Sequence, residues 1–148
     1  MRGMNLGRML LAGLAAGVCY NIVNWLGHRL ILRATASESL AQQNVAPSLG
    51  TVAQLWAIWT VYGLVVAWLY AVMRPRFGTL QSTAVLAAVT VWLAGIVVPA
   101  LPNAVLGFAS LGMVFADLLV GLVDLVVAGF VAGLIYGEPA LAVSGDRR

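Results

Sequence analysis

The sequence predicts an all-α membrane protein, a four-helix transmembrane bundle with both termini cytoplasmic, and three observations carry that prediction. Of the 148 residues, 62% are hydrophobic and only 9% charged, whereas a soluble domain carries roughly 25% charged residues. Four apolar stretches reach the about 20 residues that a helix needs to cross the hydrocarbon of a bilayer. The arginines, finally, collect at one set of segment ends, which orients the spans. The whole of 1–148 reads as one transmembrane domain, with spans at about 9–32, 51–73, 79–101 and 110–136.

The first span follows Arg2 and Arg8 and runs to Leu32. A cleaved signal peptide is its competing reading, with Ala34-Thr35-Ala36 as the cleavage site, but the apolar run exceeds the usual 7–15 residues. After it comes a polar segment, 34–50, in which Thr35 and Glu38 have capping-box spacing and Pro47 ends the pattern. This segment is expected to be external, a connector with a short surface helix. Thr51 with Gln54 repeats the capping-box pattern and is expected to start the second span, placing Trp56 and Trp59 at the outer interface. Arg74, Pro75, Arg76 and Gly78 read as a tight polar turn into the third span, with Tyr70 near the inner interface. Pro99 and Pro102 predict a kink or early end to span three, whose freed carbonyls would line a cavity. The fourth span ends near Tyr136, again a ring expected at the inner interface.

Arg2, Arg8, Arg74, Arg76, Arg147 and Arg148 fall on one side of this topology, against Arg29 and Arg33 on the other. Cytoplasmic loops are enriched in basic residues, so both termini are expected inside. The net charge of +3 reflects that bias. A nucleic-acid surface needs clustered basic residues tracking phosphates, and these arginines are dispersed, so nucleic acid is excluded as a partner. The expected surroundings are the lipid bilayer, with a homodimer or a larger membrane complex as protein partner.

One cysteine, Cys19, and one histidine, His28, cannot supply the three or four ligands of a zinc site. Neither a P-loop nor a GxGxxG turn is present. Haem ligation by His28 would need a second copy of the chain. No metal and no cofactor is expected, and with no nucleophile beside a base the chain does not read as an enzyme.

The residues that demand explanation are polar ones at membrane depth. An Asp at a helix centre costs about 2.5–3.5 kcal/mol on insertion scales, which makes it a functional candidate. Span four carries Asp117 and Asp124. Seven residues is almost two turns, so both lie on one face about 10 Å apart, with Gly121 between them. Span one carries Asn21, Asn24 and His28 at spacings of three and four, a single stripe that Gly13 and Gly17 extend. With the two spans antiparallel, the stripes are in register. Asn21 or Asn24 is expected to meet Asp124, and His28 or Arg29 to meet Asp117. Two roles compete for this cluster: an interhelical clasp, and a proton or cation path that Thr60, Tyr62 and Thr90 would extend.

Glycines at GxxxG spacing, Gly13 with Gly17 and Gly129 with Gly133 and Gly137, allow close helix contact. That contact is within the chain or between copies. Trp25 and Trp92 read as packing residues. The runs AGLAAGVCYNIVNW and VVAWLYAVMRPRFG, the latter leading into TAVLAAVTVW, resemble a group of small bacterial four-helix integral membrane proteins of uncharacterised function. The resemblance implies a bacterial inner membrane and carries no catalytic residues. The function expected is that of a non-enzymatic assembly or structural membrane protein, the alternative being a proton- or cation-coupled small transporter or channel built around Asp124.

Overall fold

A computed structural model describes residues 5–30, 48–108 and 110–137. It contains four helices long and apolar enough to cross a membrane: α1 (Leu6–Leu30), α2 (Leu49–Phe77), α3 (Leu80–Val105) and α4 (Leu111–Tyr136). No strand occurs among the described residues. The fold is an all-α four-helix bundle. Segment 34–47, with its expected surface helix, lies outside the described residues, as do Leu32, Arg2, Arg33, Arg147 and Arg148.

Each helix opens on a small polar residue whose side chain takes up a backbone N–H that the helix leaves unpaired. Asn5 accepts from Arg8 N at 3.0 Å, Ser48 from Thr51 N at 3.1 Å, Thr79 from Ser82 N at 3.2 Å and Ser110 from Met113 N at 3.3 Å. The start expected at Thr51 is thereby corrected to Ser48, since Thr51 already sits in the first turn and its N–H is the group being capped. The prolines also stop less than the sequence promised. The α2 helix runs through Pro75 to Phe77 and turns at Gly78, whose φ of 69° suits a residue without Cβ. There the Arg74 guanidinium donates to the Gly78 carbonyl.

In α3 the five residues Leu93–Val97 form a π-helical turn before the α-helix resumes to Val105. Pro99 lacks the N–H that Gly95 O would receive from four residues on, and the ladder shifts register there. The chain leaves the helix only at Leu106–Phe108, with Gly107 at φ 74°. The early end expected at Pro99 and Pro102 therefore falls later: Pro99 sits at the start of the resumed α-helix, where a missing N–H costs little.

The helices run up, down, up and down. Both α2 and α4 touch every other helix, while α1 and α3 pack chiefly against those two, which gives a rhombic cross-section with α2 and α4 on its short diagonal. Small residues fill the centre. Ala12 and Ala16 of α1, Ala67 of α2, Ala88 of α3, and Ala128 and Ala132 of α4 are buried together with Val66 and Leu125. Large apolar side chains such as Leu10, Ile22, Trp68, Leu101, Phe115 and Leu134 point outward, as expected where the surrounding solvent is hydrocarbon.

Glycines set the distances between helices. A Cβ on Gly63 would lie 2.1 Å from Gly17 N and 2.7 Å from Gly13 O, so α1 and α2 touch backbone to backbone. Gly129 lies against the Ala84 carbonyl of α3, and Gly133 against the Tyr70 ring of α2. That ring is fully buried and meets Tyr136 edge-on at 6.2 Å, so it packs inside the bundle in the space that Gly133 opens.

Candidate functional site

The polar residues of the spans gather in the upper half of the bundle, where α1 ends and α4 begins. Asn24 Nδ2 donates to Asp124 Oδ2 at 2.8 Å, joining α1 to α4. Both side chains are buried, Asp124 to 1% exposure. Higher up, His28 Nε2 lies 3.7 Å from Asp117 Oδ1, an exposed pair on the same two helices. Of the alternatives that the sequence left open, the structure brings together Asn24 with Asp124 and His28 with Asp117.

Asn21 goes elsewhere. Its Nδ2 donates to Thr60 Oγ1 at 3.1 Å, to Trp56 O at 3.3 Å and to Gly17 O of its own helix at 2.9 Å. Three residues along a helix leave an angular offset of about 60°. Because α1 lies in the groove between α2 and α4, that offset sends Asn21 to α2 and Asn24 to α4. Gly13 and Gly17 follow Asn21: they face Leu64 and Thr60 of α2 and do not extend the stripe that meets α4. Gly27, not singled out from the sequence, is the close-approach residue on the α4 side, where its Cβ would lie 2.7 Å from Val120 Cγ1. Gly121 faces Ile96 of α3 instead of lying between the two aspartates, and Gly137 closes α4 by donating its N–H to Gly133 O at 2.9 Å. Arg29 does not reach Asp117; its guanidinium lies 4.6 Å from the centre of the Trp25 ring, a cation–π contact.

Two further hydrogen bonds complete the layer. Tyr62 Oη donates to Gly95 O at 3.1 Å, joining α2 to α3. That carbonyl is the one that Pro99, lacking an N–H, cannot serve from four residues on, and a hydroxyl of α2 reaches it instead. Trp92 Nε1 donates to Leu118 O at 2.8 Å, joining α3 to α4. Tyr62 also stacks on Tyr20, with centroids 5.6 Å apart. Every neighbouring pair around the rhombus, α1–α2, α2–α3, α3–α4 and α4–α1, is thereby tied by at least one hydrogen bond outside the helices' own ladders.

Below this layer polarity falls away. The buried positions are Ala, Gly, Val, Leu and Met, with Tyr70 and Thr83 the polar exceptions among the described residues, and Thr83 Oγ1 donates to Thr79 O of its own helix. Thr90, an expected extension of the path, donates to Leu86 O of its own helix and is exposed. No group of three or more His, Cys, Asp and Glu side chains gathers among the described residues, and Cys19 is a free, half-buried thiol. One property of the layer does not fit a fully paired network. Asn24 Oδ1 and Asp124 Oδ1, the remaining oxygens of the central pair, are buried without a hydrogen-bond partner, and so is Asn21 Oδ1.

Compared with known proteins, the chain matches no family model, no curated protein and no solved structure.

Proposed function

We propose that the chain is a non-enzymatic structural or assembly protein of a bacterial inner membrane, with both termini in the cytoplasm, and that its intramembrane polar residues serve to fix one arrangement of four helices. The observation that supports this reading is the closed circuit of interhelical hydrogen bonds, one for each adjacent pair. Such bonds average about 0.6 kcal/mol in membranes. Four of them contribute little to total stability, yet each defines a register that apolar packing alone leaves loose. Among the described residues, the buried positions of the lower half are apolar apart from Tyr70 and Thr83, and Thr83 donates within its own helix, which leaves little for a proton or ion to follow.

The glycine faces are occupied within the chain: Gly13 and Gly17 by α2, Gly129 and Gly133 by α3 and α2. Assembly with a second copy or a larger complex would therefore use the outward apolar surface, not the GxxxG stripes. Mass measurement of the protein in nanodiscs tests this directly. Replacing Gly13 and Gly17 should destabilise the fold without selectively dissociating an oligomer; dissociation of an otherwise intact protein would return those faces to an intermolecular role.

The second reading, a proton- or cation-coupled carrier centred on Asp124, is supported by the two partnerless oxygens of the Asn24–Asp124 pair. Reconstituted proteoliposomes decide between the two. A rigid clasp carries no pH-driven flux above empty liposomes, whereas flux abolished by Asp124→Asn would select the carrier.

A further inference from the structure

Beside the central pair, a cleft of about 280 Å³ opens toward lipid between α1 and α4. Leu26 and Gly27 line it on one side, Val120 and Val123 on the other, and Asp124 contributes to its lower end. The remaining lining residues, Val23, Leu30 and Leu119, are apolar, and none is basic. Its walls are open to the bilayer, Leu26 being 43% exposed and Val123 56%.

Asp124 itself is 1% exposed, and its Oδ1 has no partner in the protein. The oxygen of its neighbour Asn24 is likewise buried and unpaired. A buried acceptor left without a donor is costly, and of these two residues only Asp124 lines the cleft, so its unpaired oxygen defines what would relieve it there. A hydroxyl brings one donor and no charge. A quaternary ammonium brings charge and no donor. A protonated primary amine brings three N–H groups and the charge that complements a carboxylate.

We propose that this cleft binds a lipophilic primary ammonium ion that enters sideways from the bilayer, its head at Asp124 and its chain along Leu26, Gly27, Val120 and Val123. The volume lies near the lower end of the roughly 300–1,000 Å³ usual for small-molecule sites, which suits a single short chain and not a two-chain lipid. The span from Val23 to Leu30 is about 10 Å along α1, matching an alkyl chain of modest length. The binding is an equilibrium property of the cleft and does not depend on whether the chain conducts ions.

The test uses the full chain in phosphatidylcholine nanodiscs, with decylamine as probe and decanol and decyltrimethylammonium as controls for donor number and charge. A ligand that binds the folded state raises the unfolding temperature with its concentration. Decylamine should raise the Tm saturably, and each control should need at least tenfold more for the same shift. Asp124→Asn, which retains an acceptor for Asn24, should weaken the decylamine effect at least tenfold. Val123→Phe, on the lipid-facing wall of the cleft and away from the core, should weaken it without touching the polar pair, and it decides the matter if Asp124→Asn does not fold. An equal response to decanol, an equal response of both variants and the parent, or a shift that never saturates would overturn the proposal.

Discussion

Replacing Gly63 by alanine should be among the most damaging single-methyl additions in this bundle, and the cost can be worked out from the α1–α2 crossing. The new Cβ would lie 2.1 Å from Gly17 N, 2.4 Å from Gly17 Cα and 2.7 Å from Gly13 O, where ordinary contact begins at 3.4 Å. All three obstacles are backbone, so no side-chain rotation relieves them, and α1 must retreat by about 1.3 Å, the difference between 3.4 and 2.1 Å. Gaps of 0.5–1 Å already forfeit a quarter to a half of the dispersion energy along a contact. The same retreat lengthens the Asn21 Nδ2 to Thr60 Oγ1 bond from 3.1 Å to about 4.4 Å, beyond hydrogen-bonding range. Overpacking costs about 1–3 kcal/mol, and the lost hydrogen bond adds about 0.6 kcal/mol, so a destabilisation of roughly 2–4 kcal/mol is expected. Unfolding in mixed micelles with increasing dodecyl sulfate, followed by helical circular dichroism, measures it. Gly112→Ala is the control, since its Cβ would meet nothing within 4 Å. A Gly63→Ala protein within about 0.5 kcal/mol of the parent, or no worse than Gly112→Ala, would refute this account of how α1 and α2 are held.

Asp124→Asn should insert and fold like the parent, whereas Asp124→Leu strands the Asn24 amide and should cost about 1–3 kcal/mol in the same titration; equal stability of the two would mean that the pair holds nothing. Tyr62→Phe removes the donor to Gly95 O and should destabilise by about 0.5–1.5 kcal/mol. Much of that loss should vanish in a Pro99→Ala background, where a backbone N–H becomes available; strict additivity in the double-mutant cycle would show that Pro99 does not create the need for Tyr62. His28→Ala should change stability by less than about 1 kcal/mol, because the pair with Asp117 is solvent-accessible, and a larger loss would point to a buried role. In a Cys19→Ser background, Ser39→Cys should react with an impermeant thiol reagent from outside intact cells and Ser144→Cys only after lysis; the reverse pattern would invert the topology.

The spans could be read from the sequence because crossing hydrocarbon imposes a length, and a length survives without any knowledge of partners. That Asn21 or Asn24 would meet Asp124, and His28 or Arg29 would meet Asp117, could be read for a similar reason: antiparallel spans of known ends fix depth, though not which of the two residues points at the partner. Rotation about each helix axis is a different quantity, and no length encodes it. Asn21 and Gly17 lie within about 60° of Asn24, so a stripe that looks single in sequence divides between two neighbours once α1 settles into a groove. A glycine pair likewise signals close approach without naming what approaches. The partner, Gly63, stands in Gly63-Leu-Val-Val-Ala67, a small-xxx-small spacing that carried the information but was masked by the stronger GxxxG repeats of α1 and α4. Pro99 marks where a donor is missing; that Tyr62 of another helix supplies the replacement is a tertiary fact.

The hydrogen bond between Asn24 and Asp124 joins residues a hundred positions apart in the chain, and it has a bearing on the order of biogenesis. A nascent chain can pair α1 with α2 as soon as both have left the translocation channel, because Gly17 and Gly63 need nothing further. Asn24 has no such early mate. From the insertion of α1 until the last span arrives, its amide waits beside lipid, and the arrival of α4 covers it together with the carboxyl that α4 brings. A chain arrested after α3 should therefore keep a polar mark on its flank that the finished protein conceals, and pulse-chase labelling should find it cleared faster than an arrested chain bearing Asn24→Leu.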